Sequence, residues 1–219
     1  MSNQVTTKGE WKKRLGCISI KEEVMNKLVM NYLVTEGYPE TAKKFKAESG
    51  TQLEMDLVSI TDRMLIKKAL KEGNVEEATD KINHLNPEIL DTDPLLFYHL
   101  QLQRLIELIR QGNTDKALDF CGKVLNPIVE DDQNFLGEYE QTAVLFCIGD
   151  MDICPVKHLM DQAQRSKRAD EVNAAILKSQ NREQDSKLRT LLKMLIWAES
   201  EVKGITFRPH ILDLSEAAV

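Results

Sequence analysis

The chain has 219 residues, 42% of them hydrophobic and 29% charged, and its formal net charge is −6 at pH 7. This composition can bury a core, which excludes a disordered chain, and the length allows one large domain or two small ones. The acidic balance argues against nucleic acid as a main partner, and the short basic patches at 12–14, 67–68 and 165–168 are interpreted as solvated helix faces.

Membrane, secreted and disulfide-rich classes are also disfavoured. No apolar run approaches the ~20 residues that a membrane-spanning helix needs, and the N-terminus lacks the apolar segment of a secretory signal. The four cysteines show no CxxC pair and no paired framework, so a reducing intracellular compartment is expected. They are Cys17, Cys121, Cys147 and Cys154.

The N-terminal part predicts a tail followed by a helical hairpin. Residues 1–20 are polar and aperiodic, which predicts a flexible tail whose end can form a short helix. Beyond them, apolar residues at helical spacing predict a helix that ends at Gly37, and Pro39 then opens a second helix. A unit this small cannot hide its own apolar face, so it should pack against a second copy or other helices. The predicted interface residues are Leu28, Val29, Tyr32, Leu33 and Phe45.

An internal repeat follows the hairpin. Residues 66–78 recur without a gap as residues 105–117, an offset of about 39 residues that is typical of stacked helical hairpins. Each copy predicts a helix, a Gly-Asn break and a second helix. Asn74 with Glu77 predicts a start of the capping-box type. Such hairpins usually bind other proteins. The predicted packing or partner face comprises Ile66, Leu70, Ala78, Leu105, Ile109 and Ala117.

The remaining segments also predict helices, and no segment reads as a strand, so the expected fold is all-α. Three of these helices are placed at 155–166, 168–179 and 186–203. The last is the most apolar, and Leu191, Leu195 and Trp197 are predicted to belong to a core.

A search for catalytic and metal-binding motifs predicts a protein that is not an enzyme and has no cofactor. There is no Gly-rich phosphate loop, HExxH or GxSxG motif, and the histidines are scattered. An unrecognised active site on Cys121 or His99 is the alternative, although both fit structural roles. Glu107 has two interpretations: a surface position on an amphipathic helix, or a polar contact to a partner helix.

Three segments resemble known modules. Residues 28–45, with Tyr32-Leu33, Gly37-Tyr38, Thr41-Ala42 and Phe45, resemble the LisH pattern, and the LisH hairpin is assigned to 21–57. Residues 61–120 resemble a CTLH domain, and 116–212 resemble a CRA domain. Together they resemble the small Twa-type LisH–CTLH–CRA scaffold subunits of GID/CTLH E3 ubiquitin-ligase complexes.

This resemblance implies a non-catalytic adaptor that links RING-containing catalytic subunits to substrate-receptor subunits for proteasomal degradation. The implied partners are other LisH–CTLH–CRA subunits, including RING-type and Ran-binding-type SPRY chains, together with armadillo-repeat and substrate-receptor subunits. A homodimer through LisH, and a cytoplasmic and nuclear location, are also expected. Two alternatives stay open: a cytoskeletal or signalling adaptor that dimerises through LisH outside a ligase, and a nucleic-acid or microtubule adaptor that uses the basic patches.

Overall fold

The computed structural model describes residues 8–53, 55–147 and 154–201, and within these ranges it contains helices and no strand. The all-α prediction is therefore confirmed. The α-helices are α1 (Lys8–Gly16), α2 (Glu22–Glu36), α3 (Pro39–Ser49), α4 (Leu57–Glu72), α5 (Val75–Leu85), α6 (Glu88–Asp91), α7 (Pro94–Arg110), α8 (Thr114–Phe120), α9 (Asn126–Asp131), α10 (Leu136–Cys147), α11 (Gln162–Ser179) and α12 (Lys187–Glu201). A π-helix spans Cys121–Leu125, and 3₁₀ turns span Gln133–Phe135 and Lys157–Met160.

The chain forms two compact units. The first combines the N-terminal segment up to Asp56 with the C-terminal segment from Asp185, and the second comprises Leu57–Gln184. Helices α1, α2, α3 and α12 lie in the first unit, and α4 to α11 lie in the second. The segment 116–212 predicted as one CRA domain is thus divided between the units, because α12 packs against α2. Residues 1–7 of the predicted tail, and the segment 202–219, lie outside the described residues.

The hairpin of the first unit folds around a tight glycine turn. Gly37 has a left-handed backbone, with φ of 82°, and the Tyr38 amide donates to the Leu33 carbonyl at 2.9 Å. This hydrogen bond satisfies a carbonyl at the end of α2, and Pro39 then opens α3 at a position where its missing N–H costs nothing. The buried side chains of the hairpin include Met30, Val34 and Ala42.

The two repeats of the second unit have the same turn, which confirms the repeat seen in the sequence. Helices α4 and α5 are joined at Gly73, α7 and α8 are joined at Gly112, and both glycines have positive φ. The amide after each glycine closes the turn: Asn74 N–H donates to Ala69 at 2.8 Å, and Asn113 N–H donates to Leu108 at 3.1 Å. The predicted capping box is wrong, because the Asn74 side chain makes no capping hydrogen bond.

Two large apolar clusters lie in the second unit, beside a smaller one formed by Ile106, Leu145 and Cys154. One lies among α4, α5, α6, α7 and α11, and the other lies among α7, α8, the π-helix, α9 and α10. In the second cluster the Tyr98 ring stacks on Phe135 at 4.2 Å, and its hydroxyl donates to the Phe135 carbonyl at 3.0 Å. Helix α7 contributes to both clusters and therefore ties the two repeats together.

Helix α11 packs along α4 and carries polar groups into that contact. Arg63 is fully buried and donates to Asn173 Oδ1 at 2.9 Å, and Lys67 lies 3.2 Å from the Asp170 carboxylate. The interpretation of patches 67–68 and 165–168 as solvated faces is therefore wrong for Lys67 and Arg168, which are buried, and for Arg165, which is mostly buried.

The predicted helices at 155–166 and 168–179 are also wrong in their bounds, because Lys157–Met160 is a 3₁₀ turn and α11 is one continuous helix over Gln162–Ser179. This segment contains charged residues but no glycine or proline, and its arginines are held by carboxylates of the same unit. Charge in the middle of an apolar pattern thus marks a buried ion pair here rather than a loop.

Candidate assembly surface

The predicted LisH interface residues keep part of their surface open in the single chain. Leu28, Val29, Tyr32 and Leu33 on α2, and Phe45 on α3, are all partly buried. The hairpin closes its own small core with other side chains. These five are therefore placed where a second chain could cover them, and their role at an interface stays a prediction.

Helix α12 lies against α2 in the same unit and is held there by polar contacts. The Lys187 amide donates to Asn31 Oδ1 at 2.8 Å, and the Arg189 guanidinium lies 3.8 Å from the Glu36 carboxylate. Between these contacts, Leu188 is partly buried. One side of α12 is therefore attached to the hairpin.

Much of the rest of α12 is an exposed apolar surface. Five of its large apolar side chains are between 39% and 64% exposed. We call this set the α12 apolar surface: Leu191, Met194, Leu195, Ile196 and Trp197. The prediction that Leu191, Leu195 and Trp197 belong to a core is wrong for the single chain. The reason is that α12 belongs to the small first unit, where α2 covers only part of it.

More apolar side chains are exposed in the same unit. Ile18 and Ile20 precede α2, and Val24 and Met25 lie in its first turns; all four are exposed. A soluble monomer rarely exposes large apolar side chains at such density without an interaction role. The first unit therefore has the properties of one side of a protein interface.

The predicted packing or partner face of the repeats lies mostly inside the second unit, where it packs the core. Ile66, Leu70 and Ala78 belong to the first apolar cluster of the second unit, and Leu105 and Ala117 belong to the second. All five are at most 1% exposed, whereas Ile109 is partly buried against the second cluster. These residues pack the unit itself, so a partner face on the repeats has to be formed by other side chains.

Glu107 lies at the centre of a buried polar cluster. Arg165 on α11 donates to its two carboxylate oxygens at 2.8 and 2.5 Å, Gln103 donates at 2.8 Å, and Arg110 donates at 3.1 Å. Burial by itself would raise the pKa of Glu107, but the hydrogen bonds from Arg165 and Gln103 and the Arg110 charge hold it below its usual range. The surface interpretation is wrong, and the polar contact to another helix is confirmed.

His99 joins three helices of the second unit. Its Nδ1 lies 3.1 Å from Glu171 on α11, and its Nε2 lies 3.5 Å from Glu138 on α10. Arg168 donates to the same Glu171 oxygen at 2.7 Å. Burial alone would raise the pKa of Glu171, but the hydrogen bond from His99 and the Arg168 charge lower it. The arrangement connects α7, α10 and α11 through side-chain contacts, and it includes the Arg168–Glu171 ion pair.

Cys121 begins the π-helix and is buried, and its pKa is raised mainly by that burial. A thiol with a raised pKa is a poor nucleophile at neutral pH. The side chain of Cys147 lies outside the described residues. Across the described ranges, no three His, Cys, Asp or Glu side chains are grouped as metal ligands, and no helix has the length and hydropathy to cross a membrane.

Together, the helical fold and the open apolar surface are typical of protein-interaction modules. Residues 23–49 match the LisH family model, and residues 59–203 match the model described as the CTLH/CRA C-terminal to LisH motif domain. The chain therefore belongs to the LisH–CTLH class of helical proteins.

Relatives that match over most of their own length show the family within this class. The chain is 56% identical to "Protein GID8 homolog" of Arabidopsis thaliana, over 98% of this chain and 88% of the relative. It is 32% identical to "GID complex subunit 8" of Schizosaccharomyces pombe, over 89% of this chain and 85% of the relative. A shorter match of 32% identity links half of the chain to 18% of "Ran-binding protein 10" of Danio rerio. The chain belongs to the GID8 family.

Proposed function

We propose that this chain is a non-catalytic scaffold subunit of a GID/CTLH-type E3 ubiquitin-ligase complex. In this role it links RING-containing catalytic subunits to substrate-receptor subunits, so that bound substrates are marked for proteasomal degradation. The observation that carries the proposal is the α12 apolar surface, which a single chain leaves uncovered beside the LisH hairpin. The name of the S. pombe relative supports the kind of complex.

The free energy of burying this surface favours an assembly in which α12 and the hairpin act together. Each half-exposed apolar side chain contributes on the order of 1–2 kcal/mol when a partner covers it. Association itself costs about 4–15 kcal/mol, so α12 alone gives a weak contact. The partly exposed faces of Leu28, Tyr32 and Leu33 add to the apolar area that a partner can bury.

The proposed partners are other LisH–CTLH–CRA subunits, including RING-type and Ran-binding-type SPRY chains, and armadillo-repeat and substrate-receptor subunits. The shared segment with a Ran-binding protein supports a common type of module. A second copy of the chain, paired through LisH, belongs to the same proposal. The proposed location is the cytoplasm and the nucleus.

Light scattering of the purified full chain tests the surface. We expect Leu191→Ser with Leu195→Ser to lower the assembly mass toward the 25.0 kDa of one chain. Leu33→Asp with Phe45→Asp should do the same through the hairpin. The matched control is Leu95→Ser with Leu118→Ser, which changes two leucines of the second unit that are 51% and 54% exposed. Equal assembly masses for the α12 variant and the control would show that the α12 apolar surface is not an interface of the assembly.

Affinity purification from cells, followed by mass spectrometry, tests the ligase role. The tagged wild-type chain should recover RING, SPRY and armadillo-repeat subunits, and the α12 variant should lose at least one class. Recovery of other partners without any ligase subunit would favour the cytoskeletal or signalling adaptor instead. Cys121→Ala should leave ubiquitin transfer by the whole complex unchanged, since the thiol has no catalytic role in this proposal.

A further inference from the structure

A second candidate surface lies in the other unit, in a groove between α4 and α5. Its volume is about 410 Å³. It is lined by Asp62, Leu65 and Ile66 from α4, and by Glu77, Asp80, Lys81, His84 and Leu85 from α5. None of these residues belongs to the α12 apolar surface or to the LisH hairpin.

The groove has the length of one face of a short helix. Its α4 side has the spacing i, i+3, i+4, and its α5 side runs from Glu77 to Leu85 along one helical face. At 1.5 Å per residue, this α5 side is about 12 Å long, which accommodates roughly two helical turns. Two ridges of side chains on either side of a depression are the arrangement into which the ridge of a third helix packs.

The floor of the groove is apolar and partly open. Leu65 is 39% exposed, Leu85 is partly buried, and Ile66 closes the base from the core side. An apolar floor favours a ligand with its own apolar face over one that is polar all round. Leu65 is therefore the natural anchor contact.

The rim is acidic and only partly neutralised. Lys81 lies 3.4 Å from Glu77, its neighbour one turn away on α5. Within the part of the chain that the structure describes, Asp62 and Asp80 form no ion pair or hydrogen bond through their carboxylates. Asp62 and Asp80 thus line the groove without an ion-pair partner among the described residues, since the lining lysine, Lys81, is paired with Glu77.

We infer that this groove binds a basic amphipathic helix of a partner protein. The apolar stripe of that helix would cover Leu65 and Leu85, and its flanking Lys or Arg side chains would pair with Asp62 and Asp80. The acidic rim disfavours nucleic acid and anionic membranes, which basic surfaces attract. The inference deepens the proposed scaffold role, and it rests on that role only for the existence of a partner.

The test uses a designed helical peptide and the full chain. The probe is a fluorescein-labelled peptide with Leu at i, i+3, i+4 and i+7 and Lys at the flanking positions. Its twin has Glu in place of every Lys. Fluorescence anisotropy should show binding of the basic peptide, weaker binding in high salt, and at least tenfold weaker binding of the acidic twin.

Charge variants locate the site. Asp62→Asn with Asp80→Asn keeps the side-chain shapes and should weaken binding of the basic peptide about five- to tenfold. Asp91→Asn with Asp115→Asn is the matched control, because it removes the same charge from exposed positions of the same unit outside the groove. Leu65→Ala should weaken binding as well, and methyl NMR should show shifts at Leu65 and Leu85.

Several outcomes would overturn the inference. One is that the basic peptide fails to bind the wild type, and another is that the acidic twin binds equally well. Equal effects of the groove variant and the control variant on binding would also overturn it. A drop in the assembly mass of the free chain on Asp62→Asn with Asp80→Asn would make a second copy the occupant instead. The Leu191→Ser, Leu195→Ser variant should bind the peptide normally, so failure of this site and failure of the proposed scaffold surface are distinguishable.

Discussion

Gly73 and Gly112 occupy equivalent positions in the two repeats, and both have left-handed backbones, with φ of 86° and 72°. Their surroundings differ. A Cβ built on Gly73 would lie 2.6 Å from Arg165 Nη2 and 2.8 Å from Glu107 Oε2, whereas one on Gly112 would meet no atom within 4 Å. The same turn is therefore covered by a buried ion pair in the first repeat and is open in the second.

Alanine at the two glycines should separate backbone strain from this packing. Gly112→Ala should lower the free energy of unfolding by about 1 kcal/mol, since the left-handed backbone is its only cost. Gly73→Ala carries the same strain and also displaces the Glu107–Arg165 pair, so we expect about 2–4 kcal/mol. Urea denaturation of the full chain measures both. Equal losses of unfolding free energy for the two variants would contradict the difference between the surroundings of Gly73 and Gly112.

Glu107 should be among the most sensitive polar positions of the second unit. Glu107→Ala leaves Arg165 without its carboxylate in a mostly buried site, which should cost about 3–5 kcal/mol in urea denaturation. Glu23→Ala is the control, because it removes an exposed carboxylate that pairs with Lys27 at 2.7 Å. We expect no measurable change there. A neutral Glu107→Ala would mean that the pair adds nothing to stability.

Stability should fall in mild acid. The pKa values of Glu107 and Glu171 are both lowered in the folded chain. A lowered carboxyl pKa contributes stability above the unfolded value of about 4.3 and loses it as the pH falls through the folded value. The unfolding free energy should therefore decrease below about pH 4.3. Glu107→Gln with Glu171→Gln should flatten this dependence, and an unchanged slope would argue against it.

The sequence predicted the helices and the repeat well because glycine and proline mark their ends. Gly37, Gly73 and Gly112 each close a helix, and Pro39 and Pro94 each open one. These signals are local, since they depend on the backbone freedom of glycine and the fixed φ of proline.

The apolar residues of α12 show where local signals end. Periodicity identifies α12 as an apolar helix, but it does not say whether the covering surface comes from the same chain. A sequence signal was nevertheless present, because Leu195, Ile196 and Trp197 are consecutive and cannot share one face. Such a run predicts a helix with contacts on more than one side. Met194 and Ile196 of the α12 apolar surface could therefore have been predicted from the sequence.

The buried charges of the second unit were missed for a different reason. Lys67 and Arg165 belong to short basic patches, which single-sequence reasoning assigns to solvent. Their partners, Asp170 and Glu107, come from other helices, and Glu107 is 58 residues away from Arg165. The charge inside the apolar run at 105–109 was the available hint that Glu107 had a specific partner.

The packing of α11 along α4 also has a consequence for synthesis of the chain. Arg63 and its acceptor Asn173 are 110 residues apart. The first repeat leaves the ribosome long before the helix that completes its core, so it must wait uncovered or be held by other factors. An open array of repeats can gain or lose a unit at its end, whereas this unit is closed by its own C-terminal helix and should fold, or fail to fold, as a whole.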